Sequence, residues 1–229
     1  MSFWAMAGLT AINPVSIAAT LIGDNDSTAS TSTRTHTALD VGSSYGKKTI
    51  VGVITMEDGA ASRTLSTFQL GGVSLTSAVS ITHDDGSEFL TSIIFTGDIS
   101  SLSGSQSWTI TATGNVNSSC ISAAVLHDVQ SLTPVDSATA TRTGFSGLLM
   151  SVTGTDDGFT IGGAANSEHS AVSATWNTVT ERADQGTGGG ASDHRHTAAW
   201  DIGNVDVNSA AVTWSSGSYH SCGCLAVFR

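Results

Sequence analysis

No stretch of this chain keeps a helical period. No window of 12 or more residues repeats apolar side chains every three to four positions between capping residues. Short runs of β-branched and aromatic residues recur instead, at 49–55, 68–70, 90–95, 108–112, 121–126, 148–152, 159–161, 175–179, 196–200, 211–214 and 222–228. Several alternate with period two. Trp108, Ile110 and Ala112 are apolar against the polar Thr109 and Thr111, the pattern of a strand with one buried face. Turn residues part the runs, among them Glu57-Asp58-Gly59, Asp84-Asp85-Gly86, Ser103-Gly104-Ser105 and Asp156-Asp157-Gly158. Many short strands with no helix between them specify an all-β antiparallel β-sandwich, jelly-roll-like.

The 229 residues suit a single large β domain. Residues 23–229 are assigned to the sandwich and 1–22 to an apolar N-terminal arm or an edge strand, with Phe3, Trp4, Met6, Leu9 and Ile12 as docking side chains. One internal echo runs through the sandwich. Residues 105–126 align without gaps on 207–228, an offset of 102, with Cys120 on Cys222, Thr111 on Thr213, Ala124 on Ala226 and Val125 on Val227. Both segments read as two strands around a Gly/Asn/Ser turn, hence two similar hairpins packed near each other.

Charge narrows the partners. Nineteen acidic against eight basic residues give −11, with Lys47 and Lys48 the only lysines, so neither nucleic acid nor an anionic membrane is an expected partner. The first 23 residues carry no charge, yet they lack the basic start of a signal peptide, and Asn13, Pro14 and Ser16 interrupt the apolar run. Synthesis in the cytoplasm without export is the expectation. Three cysteines, Cys120, Cys222 and Cys224, do not make a disulfide framework and are read as buried free thiols.

Several segments, taken in order, resemble a β-sandwich module of tailed-bacteriophage virion proteins and some secreted bacterial proteins. They are Phe68-Gln69-Leu70-Gly71-Gly72-Val73-Ser74-Leu75-Thr76, Trp108-Thr109-Ile110-Thr111, and Ala123-Ala124-Val125-Leu126-His127-Asp128-Val129. Thr133-Pro134-Val135-Asp136, Trp176-Asn177-Thr178-Val179 and Cys224-Leu225-Ala226-Val227-Phe228 follow. The resemblance covers residues 47–229 and departs before Lys47. It implies a jelly-roll-like sandwich on a virion or cell surface and brings no catalytic residues. A non-enzymatic virion protein is the expectation, a decoration or cement protein of the capsid or another outer surface, partnered by a capsid or tail protein and by copies of itself. The alternative is a glycan- or receptor-binding module of a tail appendage or bacterial surface protein.

Chemistry-bearing motifs are few. His194 and His196 share a strand face and are the candidate metal ligands, weighed against two solvated side chains beside the glycine-rich 185–192 loop. Asp24-Asn25-Asp26 and Asp84-Asp85-Gly86 offer hard oxygens to Ca²⁺, but neither continues to a bidentate Glu, so both are read as turns. There is no Gly-x-Ser-x-Gly elbow, zincin helix or phosphate-cradling loop. No cofactor is expected. Of the five tryptophans, Trp4, Trp108, Trp176, Trp200 and Trp214, most are assigned to the core, with Trp4, on the apolar arm, the first candidate for an exception.

Overall fold

The computed structural model describes residues 15–26, 30–43, 46–59, 61–86, 88–144, 147–167, 172–187, 194–203, 207–215 and 220–229. Every regular element among them is a strand, and every strand pair is antiparallel. The antiparallel sandwich expected from the alternating runs is present, and it is built twice.

The first sandwich comprises β1 (Ser16–Asp26), β2 (Thr31–Arg34), β3 (Leu39–Asp40), β4 (Lys48–Asp58), β5 (Leu65–Leu70) and β6 (Val73–Ser74). It continues with β7 (Thr76–Asp84), β8 (Phe89–Asp98), β9 (Ser105–Gln106), β10 (Trp108–Val116) and β11 (Ser118–His127). The second comprises β12 (Asp136–Thr143), β13 (Leu148–Val152), β14 (Phe159–Asn166), β15 (Ala174–Trp176), β16 (Glu181–Gly186), β17 (Arg195–Ile202), β18 (Val207–Trp214) and β19 (His220–Phe228). One five-stranded sheet runs β1-β11-β4-β8-β7 and its counterpart β12-β19-β14-β17-β16. The partner sheets run β2-β10-β5-β6 and β13-β18-β15. With the two-residue strands β3, β6 and β9 set aside, the two orders are identical and follow a jelly-roll winding.

The register confirms the repeat. In β7 a bulge falls between Ser77 and Val79, opposite Phe95 and Ile94, and in β16 one falls between Glu181 and Ala183, opposite Ala199 and Ala198. Bulges are specific devices of strand geometry, so the same bulge at the same place in both halves marks equivalence. The hairpin echo of the sequence, β10-β11 on β18-β19, is therefore one part of a repeat that spans the chain.

Four layers result. The two five-stranded sheets face each other at the centre, and their shared seam buries Val51, Val53, Ile94, Ala124 and Leu126 of the first against Phe159, Ile161, Trp200, Ala226 and Phe228 of the second. A separate core lies under each outer sheet, around Phe68, Phe95, Trp108 and Ile110 in one sandwich and around Met150, Trp176, Val212 and Trp214 in the other. This explains the two kinds of strand in the sequence. Inner strands β4, β14 and β19 are buried on both faces and read as nearly continuous apolar runs, whereas outer strands β10 and β13 alternate.

The 1–22 boundary does not survive. Val15 is buried in the seam, and β1 runs through residue 22 to Asp26 as the edge partner of β11. For Ser16 onward the edge-strand alternative holds, because pairing with β11 satisfies the backbone. The docking side chains Phe3, Trp4, Met6, Leu9 and Ile12 lie outside the described residues.

The seam has an approximate twofold relation: β4 faces its own counterpart β14, β1 packs on β16, and β12 on β7. Val53 pairs with Ser122 and Gly163 with Cys224, positions that keep the 102-residue offset, so Val53 and Gly163 are equivalent. They touch at the centre: a Cβ on Gly163 would sit 2.1 Å from Val53 Cγ1. Side chains on both would overlap. We expect Gly163→Ala to destabilise the fold by about 1–3 kcal/mol. In Val53→Ala/Gly163→Ala the new methyl occupies space vacated at Val53, so urea unfolding should find the double variant more stable than the sum of the single effects allows. Strict additivity would refute the close approach.

Candidate functional site

The seam is apolar at its centre and polar at its ends. At one end, β4 presents Thr55 and Glu57, and β11 presents Ser118 and Ser122, all on the face toward the second sandwich. His194, which precedes β17, and His196 within it point back between them. The sequence placed these histidines on one face, and they are. The solvated reading is overturned: both have 0% exposure, because β17 is an inner strand covered by the first sandwich.

Hydroxyls hold both rings. Thr55 Oγ1 lies 2.7 Å from His194 Nε2 and 2.9 Å from His196 Nδ1. Ser118 Oγ is 2.8 Å from His194 Nδ1, and Ser122 Oγ is 2.9 Å from His196 Nε2. The backbone N–H of Gly23 on β1 donates to Ser122 Oγ at 2.9 Å. Thr187, closing the β16–β17 hairpin, donates its hydroxyl to the His194 carbonyl and accepts from the His194 N–H, both at 2.9 Å. Each neutral imidazole has one N–H and one bare nitrogen, and Thr55 has one proton, so the chain has a direction. With Ser122 donating to His196, His196 Nδ1–H donates to Thr55, Thr55 to His194 Nε2, and His194 Nδ1–H to Ser118. That order also aims the last N–H toward Glu57 Oε2, 3.9 Å away.

Burial drives both histidines far down, to a pKa of about 3, with His196 and Arg34 as further causes at His194 and His36 at His196. Both are neutral throughout the ordinary pH range. Among the described residues no group of three or more His, Cys, Asp or Glu side chains could hold a metal. The four ring nitrogens of the metal candidates are taken by hydroxyls.

A second chain lies on the opposite face of β11. Asp24 Oδ2 is 3.0 Å from His36 Nδ1, and His36 Nε2 is 3.0 Å from Ser119 Oγ. Thr37 fixes the carboxylate through its N–H and its hydroxyl, both at 2.8 Å. Carboxylate, imidazole and serine hydroxyl in this order form the constellation of acyl-transfer enzymes. Access decides against that chemistry. Ser119 is 0% exposed and the His36 side chain is fully covered, so no carbonyl carbon reaches the hydroxyl. Burial lowers the His36 pKa, with Asp24 opposing it.

Arg34 and Asp26 complete this end. Arg34 Nη1 donates to the Asp26 carbonyl at 3.3 Å, and its carboxylate lies 3.7 Å away and accepts from Thr35 N–H at 2.7 Å. Asp24 and Asp26 thus lie in strand β1, not in a turn, and their oxygens serve protein donors. At Asp84-Asp85-Gly86 the turn reading matches: Asp84 accepts from Gly86 N–H and Asp85 from Glu88 N–H. The three thiols are free and buried, which pushes their pKa values up, for Cys224 to about 12.

Sequence reasoning missed Thr55, Ser118, Ser122, His36 and Ser119, since serine and threonine are too common here to signal anything. Comparison with protein-family models, with curated proteins and with solved structures returns no match.

The histidines set a pH dependence. Their folded pKa lies below the ordinary 6.5, so the unfolded chain binds more protons as pH falls. The stability is fully present above about pH 6.5 and drains toward pH 3, by about 1.4 kcal/mol per pH unit per histidine. His194→Gln/His196→Gln should be less stable at pH 7 but show a clearly shallower loss between pH 6 and 4 in urea unfolding. An unchanged slope would contradict the assignment.

Proposed function

We propose that this chain is a non-enzymatic structural protein of a tailed-bacteriophage virion, decorating the capsid or another outer surface. One observation carries the non-enzymatic part: the groups arranged as a reactive constellation, Asp24, His36 and Ser119, are closed off, with the serine at 0% exposure. The virion assignment rests on the ordered segments that resemble virion sandwich modules, now seen as strands and turns of two stacked jelly rolls. A broad antiparallel stack of two sandwiches suits a load-bearing surface protein.

The glycan-binding alternative draws no support from the tryptophans. Trp108, Trp176, Trp200 and Trp214 are all buried, so none of the described tryptophans offers a ring to a sugar.

Purified particles should contain this chain at a stoichiometry that fits a regular surface lattice. Deleting residues 1–14 leaves β1 intact, so the truncated protein should fold and melt as the full chain does, yet fail to join particles. Particles without the chain would refute the virion reading, and normal incorporation of the truncation would refute docking through that segment. Ester hydrolysis and labelling by a fluorophosphonate should be no greater for the native chain than for Ser119→Ala. Labelling at Ser119 would overturn the non-enzymatic reading.

A further inference from the structure

The other end of the seam carries a second pair of histidines. His83 is the last residue but one of β7 in the first sandwich, and His220 begins β19 in the second. His83 Nε2 and His220 Nδ1 are 3.0 Å apart. The ring planes differ by 17° and the centroids are 5.0 Å apart, close to the greatest separation that two rings in N···N contact can have. The rings therefore meet nitrogen to nitrogen, not face to face. Asp85 Oδ2 holds the other nitrogen of His220, Nε2, and Thr143 Oγ1 on β12 lies 3.3 Å from His83 Nε2.

We propose that His83 and His220 form a binding site for a divalent transition ion, of the Zn²⁺, Ni²⁺ or Cu²⁺ class. Imidazole nitrogens suit these ions. Two nitrogens each about 2.0–2.1 Å from one ion lie about 2.9–3.4 Å apart across octahedral or tetrahedral angles, so the observed spacing needs little adjustment. Without an ion His83 Nε2–H donates to the bare His220 Nδ1; binding takes the other neutral tautomer of His83, with its proton on Nδ1, so that both facing nitrogens offer lone pairs to the ion. Asp85 fixes His220 as the Nε2–H tautomer and aims the Nδ1 lone pair at the ion, the carboxylate–histidine–metal arrangement. Asp84 and Asp85 add negative charge beside the two rings. The site opens to solvent, with the side chains of His220 20% and Asp85 19% exposed. Two protein nitrogens fall short of a closed structural centre; the Thr143 hydroxyl and water fill the remaining positions. An ion here ties β7 to β19, one sandwich to the other.

The test titrates untagged, chelator-treated full-length protein with Zn²⁺ or Ni²⁺ in a calorimeter. One ion per chain is expected, with no comparable uptake of Mg²⁺ or Ca²⁺. His83→Ala and His220→Ala should each weaken it at least tenfold, Asp85→Asn about 10–100-fold, and His127→Ala not at all. A measurement on the native chain guards against variants that misfold. Zn²⁺ should protect His83 and His220, but not His127, from diethylpyrocarbonate, read by mass spectrometry. No saturable binding up to millimolar ion, undiminished binding in a folded His83→Ala chain, or protection that falls on other histidines would each overturn the site.

Discussion

The architecture depends on hiding the second face of each five-stranded sheet. An ordinary sandwich leaves its outer faces wet, but here the faces of β4, β8, β14, β17 and β19 that turn away from their own outer sheets carry Val51, Val53, Ile94, Phe159, Ile161, Trp200 and Phe228. Exposing these seven to water costs on the order of 10–20 kcal/mol. That rivals the whole net stability of an ordinary domain, about 5–15 kcal/mol. Neither sandwich is expected to persist alone, and the short connection from β11 to β12 joins halves that already need each other.

A purely apolar seam would tolerate sliding, since dispersion and hydrophobic burial have little direction. The polar end supplies the direction. His194, His196, Thr55, Ser118 and Ser122 satisfy one another only in the observed register, and a shift leaves ring nitrogens buried without partners, at about 1–3 kcal/mol each. The related positions at the other end differ. Thr55 and Ala165 pair with the equivalent cysteines Cys120 and Cys222, and Leu90, Ala165 and Cys222 make a small apolar cluster there. The buried polar contacts toward that end are hydroxyl and thiol bonds to backbone, Ser92 Oγ to the Gly163 carbonyl at 3.1 Å and the Cys222 and Cys224 thiols to the Leu90 and Ser92 carbonyls, while its histidines sit at the rim.

How much of this could be read from the residues differs by level. The alternation in 108–112 identified a strand with one buried face, and the match of Cys120 to Cys222 in the internal alignment touched the repeat. The doubling itself was hidden because equivalent positions are filled by different residues: Phe68 and Trp176, Phe95 and Ala199, Ser77 and Glu181. What needs preserving is total volume, not identity. In one sandwich Phe95 fills the space above Gly52, and in the other Trp176 reaches over the equivalent Gly162. The unbroken apolar runs of β4 and β19 reflect burial on two faces, which a two-layer sandwich cannot supply. For the histidines the local signal misled. A glycine-rich neighbour suggests solvent, while their partners lie as far as 141 residues away in sequence.

Joining the two sandwiches in one chain permits what two identical copies cannot. In a symmetric dimer the residue at the twofold axis meets itself, so Val53 would face Val53, or Gly163 would face Gly163 across a void. The fused chain places Val53 against Gly163, and close packing follows. The same freedom builds the polar end, where the second half supplies two imidazoles and the first supplies the hydroxyls that receive them. Strict symmetry would repeat that cluster at the opposite end, adding more buried polar atoms in need of partners. A single chain is free instead to bury the histidine cluster at one end and to leave the other, with His83 and His220, open to solvent.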